Sequence, residues 1–224
     1  MLTDHISFLP SSDVPVKSAV IMLHGYGSDG DDLLSMAPFL AKGLKNTAFY
    51  APNAPQKVDT GFKWFDFCME ESPTVLERFM YIERLMKEAS KVVPVVQDFV
   101  SYIQRKHEIP FQKIVLMGFS QGGLLSLMSG LTYPEIIGGI IACSSVPLAI
   151  NTALPIEEVL EKPPVLLTHG MADDVVPFVG EQITENTLRN IDISVKVHTV
   201  NGMGHAIDNS CLVAMESFLK EVLS

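Results

Sequence analysis

One serine sits where its hydroxyl could act as a nucleophile. Lys113 to Phe119 is β-branched and apolar at its start and reads as a buried strand. It runs into Gly118-Phe119-Ser120-Gln121-Gly122-Gly123, which contains the G-x-S-x-G pattern of a nucleophile elbow. Leu124, Leu125, Leu127, Met128 and Leu131 follow at helical spacing, and Pro134 closes the run. Strand, tight turn and helix are the setting this pattern needs. The turn lifts the hydroxyl above the end of a sheet, and small residues two before and two after let strand and helix pass closely. The plainer reading is a glycine-rich turn with an incidental serine.

A serine hydroxyl attacks a carbonyl only when a positioned base removes its proton, and histidine suits that task near neutral pH. In a strand–elbow–helix protein the acid and then the histidine follow the serine along the chain. Three histidines do so. His198 lies inside an alternating strand and reads as structural. His169 ends a strand in His169-Gly170-Met171-Ala172-Asp173-Asp174, ahead of the acids, and reads as a packing or turn residue. His205 lies in the glycine-rich loop Asn201-Gly202-Met203-Gly204-His205 between the last strand and the last helix. Such a loop reaches the C-terminal ends of the strands, where open α/β sheets bind ligands. His205 is the base this order selects. Asp173 and Asp174 both follow the His169 strand, and spacing alone does not choose between them as the carboxylate that orients the imidazole.

A second strand, Ser18 to Leu23, empties into His24-Gly25-Tyr26-Gly27. There a backbone N–H can face the reacting carbonyl oxygen. Tyr26 N–H is one expected oxyanion donor and Gln121 N–H the other. Gly25-x-Gly27-x-x-Gly30 also matches a dinucleotide fingerprint. The acidic residue that fingerprint needs about 20 positions later is missing, and Asp29, Asp31 and Asp32 would repel a pyrophosphate.

The elements that must hold these groups follow one another as strand and helix. Buried strands are expected near residues 18–23, 47–50, 113–119, 136–143, 164–169 and 194–200, with an edge strand over 5–8. Helices are expected from Asp31, broken or kinked at Pro38; over 75–89; over 92–107 with Pro94 in its first turn or kinking it; over 178–190; and from Ile207 onward. This order implies a mostly parallel central sheet with helices on both faces, in a single domain over 1–224. Pro52 to Phe67 reads as a loop. Its Trp64-Phe65-Asp66-Phe67 fits ordinary packing or the wall of a substrate pocket, which makes Trp64 and Phe65 candidate substrate-binding residues. Glu70-Glu71-Ser72-Pro73 follows. The helix over 75–89 carries Leu76, Phe79, Met80, Ile82, Leu85 and Met86, more apolar surface than one buried face needs. Core packing is the first reading of the region 67–90, with a lid or a partner surface as alternatives. Residues 144–161 read as irregular.

The chain has 224 residues, 47% hydrophobic and 19% charged, with a formal net charge of -10. That acidity argues against nucleic acid and against electrostatic attachment to anionic lipid. Cys68, Cys143 and Cys211 are few and far apart, as in a reducing compartment, and no Cys/His spacing suggests zinc. The first residues lack the pattern of a signal peptide and no apolar run is long enough to span a bilayer, so a cytoplasmic protein without stable membrane insertion is expected.

Several stretches together resemble the phospholipase/carboxylesterase family of α/β hydrolases, which includes bacterial carboxylesterases and eukaryotic acyl-protein thioesterases. They are Leu23-His24-Gly25-Tyr26-Gly27, Pro52-Asn53-Ala54-Pro55, Trp64-Phe65-Asp66, Gly118-Phe119-Ser120-Gln121-Gly122-Gly123, His169-Gly170-x-x-Asp173-x-x-Val176-Pro177 and Gly204-His205. They cover almost the whole chain. The resemblance implies the α/β-hydrolase fold, Ser120 as nucleophile, His205 as base, Asp173 as the acid, and Tyr26 and Gln121 as oxyanion donors. It implies hydrolysis of a small-molecule ester or acylated substrate, thioesters and lysophospholipids included, without cofactor or metal, and a homodimer as an assembly to expect. A hydrolase of another substrate class, such as a peptidase or lactone hydrolase, and a non-catalytic binding protein on the same scaffold are the rival readings. The chain departs from the family pattern at Glu70-Glu71 and the methionine-rich stretch after Asp66, where substrate preference is least transferable.

Overall fold

The computed structural model describes residues 2, 4–66, 75–148 and 161–224, with the backbone alone for 75–79. Phe67, Cys68, Glu70-Glu71-Ser72-Pro73 and residues 149–160 of the expected irregular stretch lie outside the described residues, as do the side chains of Leu76 and Phe79.

The strands are β1 His5–Phe8, β2 Ser18–Leu23, β3 Thr47–Pro52, β4 Gln56–Val58, β5 Gly61–Lys63, β6 Ile114–Phe119, β7 Gly139–Cys143, β8 Val165–Gly170 and β9 Val195–Val200. A seven-stranded sheet has the order β1-β3-β2-β6-β7-β8-β9. Only β1 runs antiparallel to its neighbour, pairing Ile6 with Ala51 at one edge; the other pairs are parallel. The middle strands are apolar along their whole length because both faces are covered. In β2 every residue is buried. Ala19, Ile21 and Leu23 join one core and Val20 and Met22 the other, as the two-residue period of a strand requires.

The helices are α1 Gly30–Leu34, α2 Ala37–Leu40, α3 Val75–Ser90, α4 Val93–His107, α5 Gln121–Leu131, α6 Val179–Arg189 and α7 Asn209–Leu223. The first core packs under α3, α4 and α5, and Leu188 of α6 joins it. The second packs under α1, α2 and α7, with Cys211, Met215 and Phe218 on the buried stripe of α7. Pro38 acts as a break. It stands in the first turn of α2, where a missing N–H costs nothing, and α1 ends before it. Leu85, Met86 and Ala89 of α3 are buried while Met80 is exposed, so the described part of this helix is amphipathic and packs on the core.

One expectation is corrected. The described part of the loop expected over 52–67 is not a plain loop, because β4 and β5 form an antiparallel hairpin pairing Lys57 with Phe62. Three-residue strands are too short to show alternation in a sequence.

Leu23 pairs with Gly118, Phe119 with Cys143, and Gly170 with Val200. The residues after Leu23, Phe119, Gly170 and Val200 therefore emerge from the same edge of the sheet, the C-terminal edge of the parallel strands.

Behind this edge, Glu181 of α6 is only 4% exposed, and neither of its carboxyl oxygens has a hydrogen-bond partner among the described residues. It borders a cavity of about 10 Å³ shared with Ser145, Thr168, His169 and Thr184. Burial first, then the nearby Glu185, raises its pKa from 4.5 to about 7. The folded chain thus keeps a proton that the unfolded chain loses, so the contribution of this group to stability is fully present below pH 4.5 and is lost as pH rises to about 7. This group should remove on the order of 2–3 kcal/mol of unfolding free energy across that window. Urea unfolding of the wild type and Glu181→Gln at pH 5 and 7.5 should show the variant gaining on the wild type as pH rises. An equal pH dependence in both proteins would contradict the assignment.

Candidate active site

Ser120 stands between β6 and α5 with φ 54° and ψ -113°, a backbone conformation a side-chain-bearing residue adopts only at a cost. Its surroundings hold it there. Ser120 N–H donates to Cys143 O at 2.9 Å, and Ser120 O accepts from Gly123 N–H at 3.0 Å. Gly118 and Gly122 make the turn sterically feasible. A Cβ on Gly118 would lie 2.1 Å from Gly122 O, and one on Gly122 would lie 2.0 Å from Leu23 O. Strand, turn and neighbouring strand therefore touch through backbone alone. Gln121 is the first residue of α5, so its N–H is one of the donors a helix leaves without an intrahelical partner.

His205 and Asp173 meet because two loops are stapled together. Met171 N–H donates to Val200 O at 2.9 Å and Ala172 N–H to Met203 O at 3.0 Å. Gly170 allows the approach, since a Cβ there would lie 2.2 Å from Met203 O. The result is a hydrogen bond of 2.8 Å between His205 Nδ1 and Asp173 Oδ2. The other oxygen, Oδ1, accepts from Val175 N–H at 2.9 Å and Val176 N–H at 2.8 Å. The Asp173 side chain is wholly buried and the His205 side chain 15% exposed. Asp174 is exposed. The choice that spacing left open is thereby made by contact: Asp173 faces the imidazole. The His205 ring packs on Phe119, with ring centroids 4.7 Å apart, beside the turn that carries Ser120.

His169 packs behind the pair. Its Nε2–H donates to Val176 O at 2.8 Å and lies 3.3 Å from Asp173 Oδ2. Burial lowers its pKa, so the ring is neutral and adds no charge next to the carboxylate. The sequence reading as a packing residue describes it, although it missed the contact with Asp173. His198 lies on the edge strand β9 and bonds Ser210 Oγ at 3.0 Å, away from these groups.

The loop after β2 flanks Ser120 on the other side. A Cβ on Gly25 would lie 3.5 Å from Ser120 Cβ. Gly27 N–H donates to Phe62 O and Phe62 N–H to Ser28 O, each at 2.8 Å, so the β4–β5 hairpin clamps this loop. The Tyr26 side chain is half exposed at the rim. The glycine pattern that imitates a dinucleotide fingerprint has another use here. Gly30 N–H, the first of α1, donates to Asn53 Oδ1 at 2.9 Å, and Asp29 caps the helix by accepting from Asp32 N–H at 3.0 Å.

Trp64 and Phe65 do not wall an open pocket. They are 0% and 1% exposed and belong to the core beneath the site. A ring without accessible surface cannot meet a substrate. Their polar groups turn inward, with Trp64 Nε1–H donating to His24 O at 2.9 Å. His24, also fully buried, is the polar residue that sequence reasoning did not assign. A histidine ending an apolar strand had to find partners inside the protein, and that was the available signal.

Among the described residues no group of three or more His, Cys, Asp or Glu could hold a metal ion, and no helix is long and apolar enough to cross a membrane. The arrangement offers a strained hydroxyl, a carboxylate-held imidazole and, at the start of α5, a backbone N–H without an intrahelical partner, which are groups suited to acyl transfer.

Comparison with known proteins agrees with that inventory. The acyl-protein thioesterase 1 of Neurospora crassa is 32% identical over 220 residues, covering 92% of this chain and 87% of that protein. The acyl-protein thioesterase 1 of Mycosarcoma maydis is 30% identical over 230 residues, covering 96% and 95%. Among solved structures, esterase PE8 superposes with a TM-score of 0.86 at 33% identity, covering 98% of this chain and 99% of its own. The Bacillus cereus carboxylesterase, at 15% identity and a TM-score of 0.74, shares the fold. The model of the phospholipase/carboxylesterase family matches residues 5–223, and with the buried parallel sheet and its glycine-flanked serine turn this places the chain in that family of α/β hydrolases.

Proposed function

We propose that this esterase-type hydrolase cleaves carboxylic esters, acyl thioesters among them, through an acyl-enzyme on Ser120. The observation that carries the residue roles is the 2.8 Å bond from His205 Nδ1 to Asp173 Oδ2, next to the strained Ser120 turn. With Nδ1–H given to the carboxylate, Nε2 is the nitrogen left to accept a proton. His205 Nε2 takes the Ser120 proton as Oγ attacks the acyl carbon, and Asp173 stabilises the imidazolium that forms. The carbonyl oxygen, now negative, is held by Tyr26 N–H and Gln121 N–H. As the tetrahedral intermediate collapses, His205 returns the proton to the departing alcohol or thiol. It then deprotonates a water that attacks the acyl-enzyme, and as the second tetrahedral intermediate collapses it gives that proton to Ser120 Oγ, releasing the acid and the free serine. No electron leaves or enters the system, and the protein's own residues supply every proton transfer.

Relatives named acyl-protein thioesterase extend the reading to thioesters, which develop the same oxyanion and offer a better leaving group. The free, buried Cys143 and Cys211 support a reducing, cytosolic setting.

Ser120→Ala should lower kcat by about a million-fold while the fold persists. Steady-state hydrolysis of p-nitrophenyl esters and acyl thioesters, with circular dichroism as the folding control, checks this. Activity near wild type in clean, folded protein would end the assignment. Asp173→Asn should lower kcat by about ten-thousand-fold, because an amide presents the wrong hydrogen-bonding partner to Nδ1–H. Asp174→Asn should stay within about twofold, as expected of an exposed carboxylate outside such a network. The reverse pattern would transfer the role to Asp174.

A further inference from the structure

The two proposed oxyanion donors come from segments nearly a hundred residues apart, yet they must converge on one oxygen atom to within a few tenths of an ångström. A chain of buried hydrogen bonds joins them. His24 Nε2 accepts from Ala54 N–H at 3.0 Å, which requires a neutral ring and puts the proton on Nδ1. Burial lowers the pKa of His24, in keeping with that neutrality. Nδ1–H then donates to Gly25 O at 2.7 Å. Gly25 C=O and Tyr26 N–H belong to the same planar trans peptide and point in opposite directions. Gripping the carbonyl from one side therefore aims the N–H toward the other.

The bridge continues to the elbow. Trp64 Nε1–H donates to His24 O at 2.9 Å. Trp64 N–H donates to Gln121 Oε1 at 2.8 Å, and Gln121 Nε2 donates to Phe65 O at 2.8 Å. The Gln121 amide thus ties down both the N–H of Trp64 and the carbonyl of Phe65. All of these side chains are 0–1% exposed. None of them touches the reacting atoms, and each of their polar groups is matched, so the assembly is rigid at little cost in unpaired polarity.

We propose that His24, Trp64 and the Gln121 side chain are positioning residues that act as one bridge, fixing the direction of Tyr26 N–H and its distance from Gln121 N–H. The inference rests on the oxyanion roles given above. Its consequence is specific: loosening the bridge weakens the interaction with the transition state and leaves ground-state binding alone. A Trp64 that served as a pocket wall would instead change KM.

Trp64→Phe removes the bond to His24 O and keeps an aromatic ring in the core. Gln121→Met removes both bonds to the 64–65 backbone at similar volume. His24→Asn is too short to serve Gly25 O and Ala54 N–H together. Each is measured in protein that melts as one transition and whose Ser120 is fully labelled, at completion, by a fluorophosphonate. Expected is a fall in kcat of about tenfold, part of the hundredfold or more that loss of a whole donor costs. KM should stay within about twofold, and affinity for a trifluoromethyl ketone that mimics the tetrahedral adduct should weaken by the same factor as kcat/KM. The Trp64→Phe/Gln121→Met double variant should lose less than the product of the single effects, because both cut the same bridge. Should one variant not fold, the other two read the same ratios. Wild-type kcat and wild-type ketone affinity in folded variants would overturn the proposal, as would a rise in KM that accounts for the whole loss. A failure of the hydrolase reading itself would show elsewhere, as an unlabelled Ser120 in the wild type.

Discussion

Everything at this site depends on how closely backbone can approach backbone at the C-terminal edge of the sheet. The exit of β2 and the turn after β6 are in direct contact, with Leu23 O where a side chain on Gly122 would have to be. Ser120 takes its unusual dihedral angles in the turn that makes this contact, and the loop carrying Gly25 and Tyr26 lies beside the serine. The same device recurs at β8, where Gly170 lies against the carbonyls of Met203 and Gly204 and so brings the two loops of Asp173 and His205 together. Glycine serves in both places because any side chain would push apart the segments that must meet. The sheet pays for this strain through its two cores, whose middle strands are buried on both faces.

Polar groups beneath the site are then governed by the cost of burial. Asp173 resolves it with partners on both oxygens, two backbone N–H groups on one and an imidazole on the other. A carboxylate so held cannot rotate away from His205, and the imidazole in turn has a fixed tautomer. His24 and His169 resolve it by staying neutral, each with burial lowering its pKa and a backbone carbonyl accepting its one proton. Glu181 takes the opposite course. It lacks a partner among the described residues and therefore keeps a proton up to about pH 7. Two acids a few residues apart in sequence thus differ because one found backbone donors and the other did not.

The parts that could be read from the sequence were those in which one residue type has one physical use at a given spacing. Gly118 and Gly122 around Ser120 mark a turn that other residues cannot make, and continuous apolar runs mark strands covered on both faces. His205 was accessible for the same reason, since a glycine-rich loop after the last strand can only emerge at the site edge. Asp173 and Asp174 were not separable by spacing, because adjacent residues in a loop carry no periodicity to say which one turns inward. The β4–β5 hairpin escaped because its strands have three residues each. Trp64 and Phe65 were visible as bulky residues in a connection, but bulk does not reveal which way a ring faces. Their inward orientation comes from hydrogen bonds to His24 and Gln121, partners 40 and 57 residues away from Trp64.

That orientation changes where variation within the site is tolerable. A residue that walls a pocket can be exchanged for another of suitable size, and the substrate range shifts with it. A residue whose indole and backbone N–H groups are taken up by the segments after β2 and β6 cannot be exchanged so freely, since its replacement leaves the buried His24 carbonyl without that partner. Side chains able to meet a substrate are those that do face outward, and exposed apolar side chains do stand on the loops that carry the site. Tyr26 follows Gly25, Met171 and Val175 bracket Asp173, and Val179 opens α6; all four are between 39% and 55% exposed. The separation is physically sensible. An interior that is fully hydrogen-bonded holds the geometry of the reaction, while an exposed apolar rim can change in composition without disturbing the groups that carry out the chemistry.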